Sequence, residues 1–170
     1  MRRALQYALI ASAVAVTAPA LADDRPLLAI EATVSRGLAV GGGGGDSTTR
    51  VSPTSVGASF DYAIRSEPWT TVTGGVFYEG GGRGGFGLRA GLRAAAGNTP
   101  IRLGASAVAI VSPYTLGGIA ASGGRCWSLG GALGLCGDVE GTVFAIGGDL
   151  PDGRVAAQLL VVLGVRVDVQ

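Results

Sequence analysis

The sequence contains no histidine and no lysine. The first absence removes Ser-His nucleophile pairs, histidine metal sites and the usual proton shuttle near neutral pH. The second removes the Walker-loop lysine, so the "GGGGG" run at 41–45 reads as a flexible loop tip and not as a phosphate cradle. Charge of either sign is scarce, at 15% against about 25% for a typical soluble domain. A near-neutral balance with no basic patch argues against nucleic acid as a partner. There are only two cysteines, and they do not form a C-x-x-C motif. Beyond the N-terminus, no apolar run is long enough for a membrane-crossing helix.

What is abundant is glycine, with 31 residues, and hydrophobic residues, at 48%. The chain of 170 residues is long enough for one domain. Its start has the layout of a signal peptide. Arg2 and Arg3 precede the apolar stretch "ALQYALIASAVAV", and "APALA" ends in the Ala20-x-Ala22 pattern of a cleavage site. The expected division is a signal peptide at 1–22 and a single domain at 23–170. Removing Arg2 and Arg3 from the 13 basic residues leaves 11 arginines against 12 acids, net −1. An exported chain this apolar and this poor in charge calls for a second apolar solvent.

The pattern along the chain has period two. In "VAAQLLVVLGVRVDVQ", Val155, Ala157, Leu159, Val161, Leu163, Val165, Val167 and Val169 share one face. Gln158, Gly164, Arg166 and Asp168 fall on the other. Side chains alternate faces along a strand, so one face is unbroken aliphatic and the other small, mixed and charged. The same alternation runs through "LLAIEATVSRGLAV", "VGASFDYAIR", "FGLRAGLRAAA" and "IRLGASAVAIV". A helix would need apolar positions at i, i+3, i+4 and i+7, and frequent glycine opposes it.

Eight strands are expected, at 27–40, 54–65, 69–79, 85–97, 101–111, 117–128, 133–146 and 155–169. They are longer than the average soluble strand of about 5–6 residues and match the roughly 9–11 residues of a tilted membrane strand. The connections "SEP", "NTP" and "GGA" are tight, whereas "GGGGGDSTTRVSP", "EGGGRG", "SPYTL" and "GGDLPDG" are longer and glycine-rich or polar. Short turns on one rim and longer loops on the other is the layout of an outer-membrane barrel.

The predicted fold class is therefore all-β, a closed antiparallel up-and-down transmembrane barrel of eight strands. A soluble sandwich also alternates, but its outer face would be rich in Lys, Glu and Thr. Here the non-aliphatic face suits the crowded interior of a small barrel. Inside it, Glu31, Asp61, Glu79, Asp138, Glu140 and Asp168 would meet Arg65, Arg89, Arg93, Arg102 and Arg166. Arginine suits pairing that is bidentate and partly dry. Trp69 and Trp127 lie beside two of the tight turns and would form half of an aromatic girdle. Arg125 shares the lipid-facing parity of Trp127 and would snorkel near a rim.

Cys126 and Cys136 lie ten residues apart. In one extended strand they would be roughly 33 Å apart, too far to bond. A three-residue turn at Gly130, Gly131 and Ala132 would pair Leu129 with Leu133, Trp127 with Leu135, and Cys126 with Cys136. Opposed residues come within disulfide reach, and export supplies an oxidising compartment. The expected role is a hairpin staple; the plainer alternative is two unrelated buried thiols.

Other motifs are weak. Gly82-x-Gly84-x-x-Gly87 matches a dinucleotide fingerprint, but a strand and not a helix should follow it. Asp138 and Glu140 could be a carboxylate pair for acid-base work. Two ion-pairing acids of the interior is the plainer reading.

The signal-like start, the alternating strands and the final "AQLLVVLGVRVDV" resemble the small eight-stranded outer-membrane barrels, the class of the OmpA membrane domain and OmpX. The resemblance covers residues 27–170. The class ends on an aromatic residue, where this chain has Val169-Gln170. The resemblance implies a monomeric, non-enzymatic integral barrel in the outer membrane of a Gram-negative bacterium. Its role would be structural, surface-contacting or that of a narrow pore. Its partner would be outer-membrane lipid, with no cofactor, metal or nucleic acid. The alternative is an exported soluble β-barrel that holds a small apolar ligand.

Overall fold

A computed structural model describes residues 26–43, 46–66, 68–81, 84–96, 99–150 and 154–169. The expected signal peptide lies outside the described residues. Among the described residues no helix is long and apolar enough to cross a membrane. All regular structure there is strand, in the order β1 (Leu28–Gly43), β2 (Asp46–Val51), β3 (Ser55–Ser66), β4 (Trp69–Glu79), β5 (Gly85–Ala95), β6 (Ile101–Ser112), β7 (Leu116–Gly130), β8 (Leu133–Ile146) and β9 (Val155–Val169).

Every neighbouring pair is antiparallel, and β1 also pairs with β9 from Leu28↔Val169 to Gly42↔Val155. That last ladder closes the sheet. Nine segments make eight staves, because β2 and β3 lie end to end along the same edge of β1. β1 meets β3 at 28–35 and β2 at 38–43. The break falls at Ser52, Pro53 and Thr54, where proline removes a ladder donor.

β2 corrects the expectation that "GGGGGDSTTRVSP" is a connection without a strand of its own. Thr48, Thr49 and Val51 are β-branched residues that favour extended backbone. They zip onto the end of β1 through Val40↔Thr49 and Leu38↔Val51. Both termini of the barrel, Leu28 and Val169, sit at one rim, called here the terminal rim. The β1–β2, β4–β5, β6–β7 and β8–β9 connections sit at the other, the loop rim.

The aliphatic faces point outward. Among the described residues 33 large hydrophobic side chains are exposed and only 10 hydrophobic residues are buried, which inverts the arrangement of a soluble domain. In β9 every second residue from Leu159 to Val169 is exposed, while Leu160, Val162, Gly164 and Arg166 are buried.

Three local expectations need correction. Arg65 was expected inside, and it is exposed. The register shifts between Ala63 and Arg65, so Arg65 pairs with outward-facing Thr70. A bulge inserts one residue and flips the parity after it. Trp69 was expected in an outer girdle, but it shares the inward parity of Thr71 and Thr73. The Arg166 guanidinium lies 5.7 Å from its ring centre. In the β7–β8 hairpin Gly130, not Leu129, pairs with Leu133, with a register shift after Ser128. Gly130 and Gly131 take φ of 124° and 57°, values that side-chain-bearing residues rarely adopt.

The bulge leaves the rest of that hairpin in the expected register, with Trp127↔Leu135 and Cys126↔Cys136. Cys126 and Cys136 form a disulfide across it, with Cα atoms 4.0 Å apart. Arg125 and Trp127 both point outward, and the guanidinium lies 5.3 Å from the indole centre.

Candidate functional site: the barrel interior and its mouth

The half of the interior next to the terminal rim holds one continuous ionic network. Asp168 accepts from Arg166 Nε at 2.7 Å, and Arg166 Nη1 donates to Asp61 at 2.9 Å. Arg93 Nη1 donates to Asp61 Oδ2 and to Glu31 Oε2, each at 3.1 Å. Arg102 grips Glu31 with both Nη atoms, at 2.9 and 3.0 Å. It also donates through Nε to Asp138 Oδ1 at 3.0 Å and through Nη2 to Asp138 Oδ2. Acid and arginine alternate along the whole chain of contacts: Asp168, Arg166, Asp61, Arg93, Glu31, Arg102, Asp138.

Six strands supply these residues. The period-two pattern turns each inward, and closure of the sheet brings them together. Charges taken out of water need partners of opposite sign. A planar guanidinium can serve two carboxylates at once, as Arg102 does. Glycine makes the room. A Cβ at Gly164 would come within 2.5 Å of Glu31 Oε1, so the carboxylate lies where a side chain on β9 would stand.

Arg89 and Glu140 form a separate pair at mid-height, with contacts of 2.7 and 3.2 Å. Asp138 and Glu140 therefore answer to different arginines. They do not face each other as a carboxylate dyad. The cavity among Arg89, Arg93, Asp138, Glu140 and their neighbours is about 20 Å³, room for roughly one water.

Towards the loop rim the filling changes. Phe77, Val108, Ile110, Ala120 and Phe144 form a buried cluster across the bore. The Phe77 ring lies over Gly87, where a Cβ would strike it. Arg89 marks the boundary, with its guanidinium 5.4 Å from the centre of the Phe77 ring on one side and Glu140 on the other.

Above this plug the barrel opens into a cup of about 640 Å³. Ile110, Phe144, Leu116, Pro53 and Leu150 supply apolar wall. Glu79 reaches into the cup from the end of β4 and is 5% exposed. Tyr114 donates its hydroxyl proton to Glu79 Oε2 at 2.9 Å, and Gln158 Nε2 donates to Oε1 at 3.3 Å. Burial, with the Glu79 charge beside it, pushes the Tyr114 phenol up to about 12. Among the described residues Glu79 takes part in no ion pair, unlike Glu31, Asp61, Asp138 and Glu140.

The structure thus brings together nearly all the interior charges expected from sequence: Glu31, Asp61, Arg93, Arg102, Asp138, Arg166 and Asp168 in one network, and Arg89 with Glu140 in a second. Arg65 and Glu79 stand outside both: Arg65 is exposed, and Glu79, also expected to meet an arginine, makes no ion pair among the described residues. The plug and the cup were not anticipated. A signal for the plug was present, since the inward residues of β6 change from Arg102, Gly104 and Ser106 to Val108 and Ile110. The role of Tyr114 had no such signal, because the residue sits in a connection outside the alternation. The glycine motif at 82–87 leads into β5, a strand, as expected.

No family model matches the sequence, and no curated protein matches it. Several solved structures match the chain. Neisserial surface protein A superposes with a TM-score of 0.52 at 14% identity, over 84% of this chain and 97% of that one. Ail, the attachment invasion locus protein of Yersinia pestis, gives 0.47 at 12% identity, over 82% and 97%. At such identities the first likeness establishes the fold: a small, closed, eight-stranded antiparallel barrel of the outer-membrane type.

Proposed function

We propose that this chain is a non-enzymatic integral protein of a Gram-negative outer membrane, exported by its N-terminal segment and embedded as a monomer. One observation carries the reading: an aliphatic belt, interrupted by Arg36, Arg65 and Arg125, surrounds a closed barrel that encloses its ion-paired charges. Hydrocarbon is the solvent that suits both. Every backbone group of a closed sheet finds its partner within the sheet, as lipid requires. An eight-stranded barrel is filled by its own side chains, and the ionic network and the plug fill this one. A structural or surface-contact role follows, carried by the loop rim; the narrow-pore variant is disfavoured by the plug.

Cell fractionation tests the reading. The mature protein should stay with the outer membrane until detergent extracts it. Unheated, it should also migrate differently on a gel from the boiled protein. Release by osmotic shock would instead support the exported soluble barrel. That reading would place some thirty apolar side chains in water.

A further inference from the structure

The cup at the loop rim contains an imbalance that the rest of the interior lacks. Four of the buried acids, Glu31, Asp61, Asp138 and Glu140, each meet at least one arginine. Glu79 is equally buried and meets only neutral donors among the described residues. Both of its bonds are accepted, from the Tyr114 hydroxyl and the Gln158 amide. An ionised carboxylate, an acceptor only, can take both bonds. A buried anion without a cation is costly, and it draws a cation from outside when the site is open to one. Here the site opens directly into a cavity of about 640 Å³, whose wall also carries Arg50, which makes no ion pair with Glu79, and a second acid, Asp149, so that acids outnumber arginines in the described lining.

The geometry points to this cup as a binding site for a small organic cation, an ammonium group carried on an apolar body. The head would sit against Glu79, between Tyr114 and Gln158. An ammonium brings three donors and no acceptor, which complements a carboxylate with free lone pairs. Tyr114 and Phe144 line the same cavity, and aromatic rings attract cations. Ile110, Leu116 and Pro53 would cover the body of the ligand. The volume lies within the usual range for small-molecule sites, about 300–1,000 Å³. A bare divalent metal fits poorly. It requires about six or more oxygen ligands, and no metal-binding group of three acidic, histidine or cysteine side chains occurs among the described residues. The inference concerns the mouth alone and holds whichever solvent surrounds the barrel.

The test is an NMR titration of the folded full-length mature protein in zwitterionic detergent. The probe is 2-phenylethylamine, and 2-phenylethanol is its uncharged counterpart. The amine should give saturable shifts of the Gln158 side-chain amide and of the Gly80 and Gly81 backbone amides. The alcohol should bind about tenfold more weakly or worse, the loss expected when a charge-assisted hydrogen bond becomes a neutral one. Glu79→Gln should weaken the amine by a similar factor. Ala156→Leu, which narrows the cup without touching the carboxylate, should also weaken it.

Equal binding of amine and alcohol would overturn the proposal. So would amine binding that survives Glu79→Gln, shifts confined to the outer aliphatic belt, or the same saturable shifts produced by calcium chloride alone. The comparison of the two probes on the unaltered protein decides the matter even if neither variant assembles.

Discussion

The terminal half and the loop half of the barrel interior solve the same packing problem with opposite materials. Near the termini, four acids and three arginines interlock, and apart from Asp168, whose side chain is 31% exposed at the rim, little of their charge reaches water. Towards the loops, Phe77, Val108, Ile110, Ala120 and Phe144 close the bore with hydrocarbon. The ionic half depends on completeness. Glu31 and Asp61 each meet two arginines, whereas Asp138 meets Arg102 alone, so removal of Arg102 leaves a buried acid unpaired. The apolar half depends on volume, and its losses are local. Glu79 belongs to neither half. It is an acid above the plug with no arginine assigned to it among the described residues.

Breaking the ionic half should have the largest effect. Arg102→Met strands Asp138 and leaves Glu31 with Arg93 alone, and truncating one partner of a buried ion cluster costs about 3–5 kcal/mol. Urea unfolding of the barrel in detergent, followed by tryptophan fluorescence, reads that loss. A change below roughly 1 kcal/mol, within the range of ordinary surface substitutions and small repacking, would mean that water shares the network. Phe144→Ala should come next, at about 3 kcal/mol, since it leaves a cavity that the open cup partly relieves. The same assay reads it, and bilayer conductance should rise only in this variant.

Removing the staple between the halves' two neighbouring strands should cost less. Cys126→Ser with Cys136→Ser closes a loop of ten residues less tightly, and about 2 kcal/mol of stability should be lost, mainly through the unfolded chain. Unfolding of the native protein with and without reductant gives the same difference independently. Glu79→Gln should be the contrast to Arg102→Met. It removes an unpaired charge and keeps the shape, so stability should stay within about 0.5 kcal/mol or improve. A large loss would show that Glu79 has a cationic partner within the chain.

The smallest effect is a pH dependence at the cup. The Tyr114 phenol is raised to about 12 in the folded protein, above its ordinary value of 10.0. Between those values the folded state holds a proton that the unfolded chain has released. Its contribution to stability is therefore intact below pH 10 and fades as the pH rises towards 12. Absorbance of ionised tyrosine should show a late-titrating component that Tyr114→Phe abolishes.

Much of this was legible in the chain. The alternation that places Val155 to Val169 on one face and Gln158, Gly164, Arg166 and Asp168 on the other follows from local geometry alone. So does the pairing of Cys126 with Cys136, which depends on only ten residues and survived an error of one residue in the turn. Arg65 was misread because a bulge reverses parity, and a period-two rule carries no information about where a bulge falls. Trp69 was misread from the same strand pair, where closeness to a turn was taken as closeness to the membrane surface. The β2 hairpin was hidden by the glycines before it.

By itself the sequence determined which side of each strand is mainly aliphatic, and hence that most of the charges on the other side are enclosed if the sheet closes. Side-chain direction in a strand is set by the backbone, one residue at a time. Only the tertiary structure decided which arginine meets which acid, where hydrocarbon replaces charge along the bore, and that Glu79 meets Tyr114 and Gln158 but forms no ion pair among the described residues. Those outcomes depend on the stagger between strands, which places residues as distant in sequence as Glu31 and Arg102 within one hydrogen bond. Stagger is a property of the closed barrel as a whole, and no single strand encodes it.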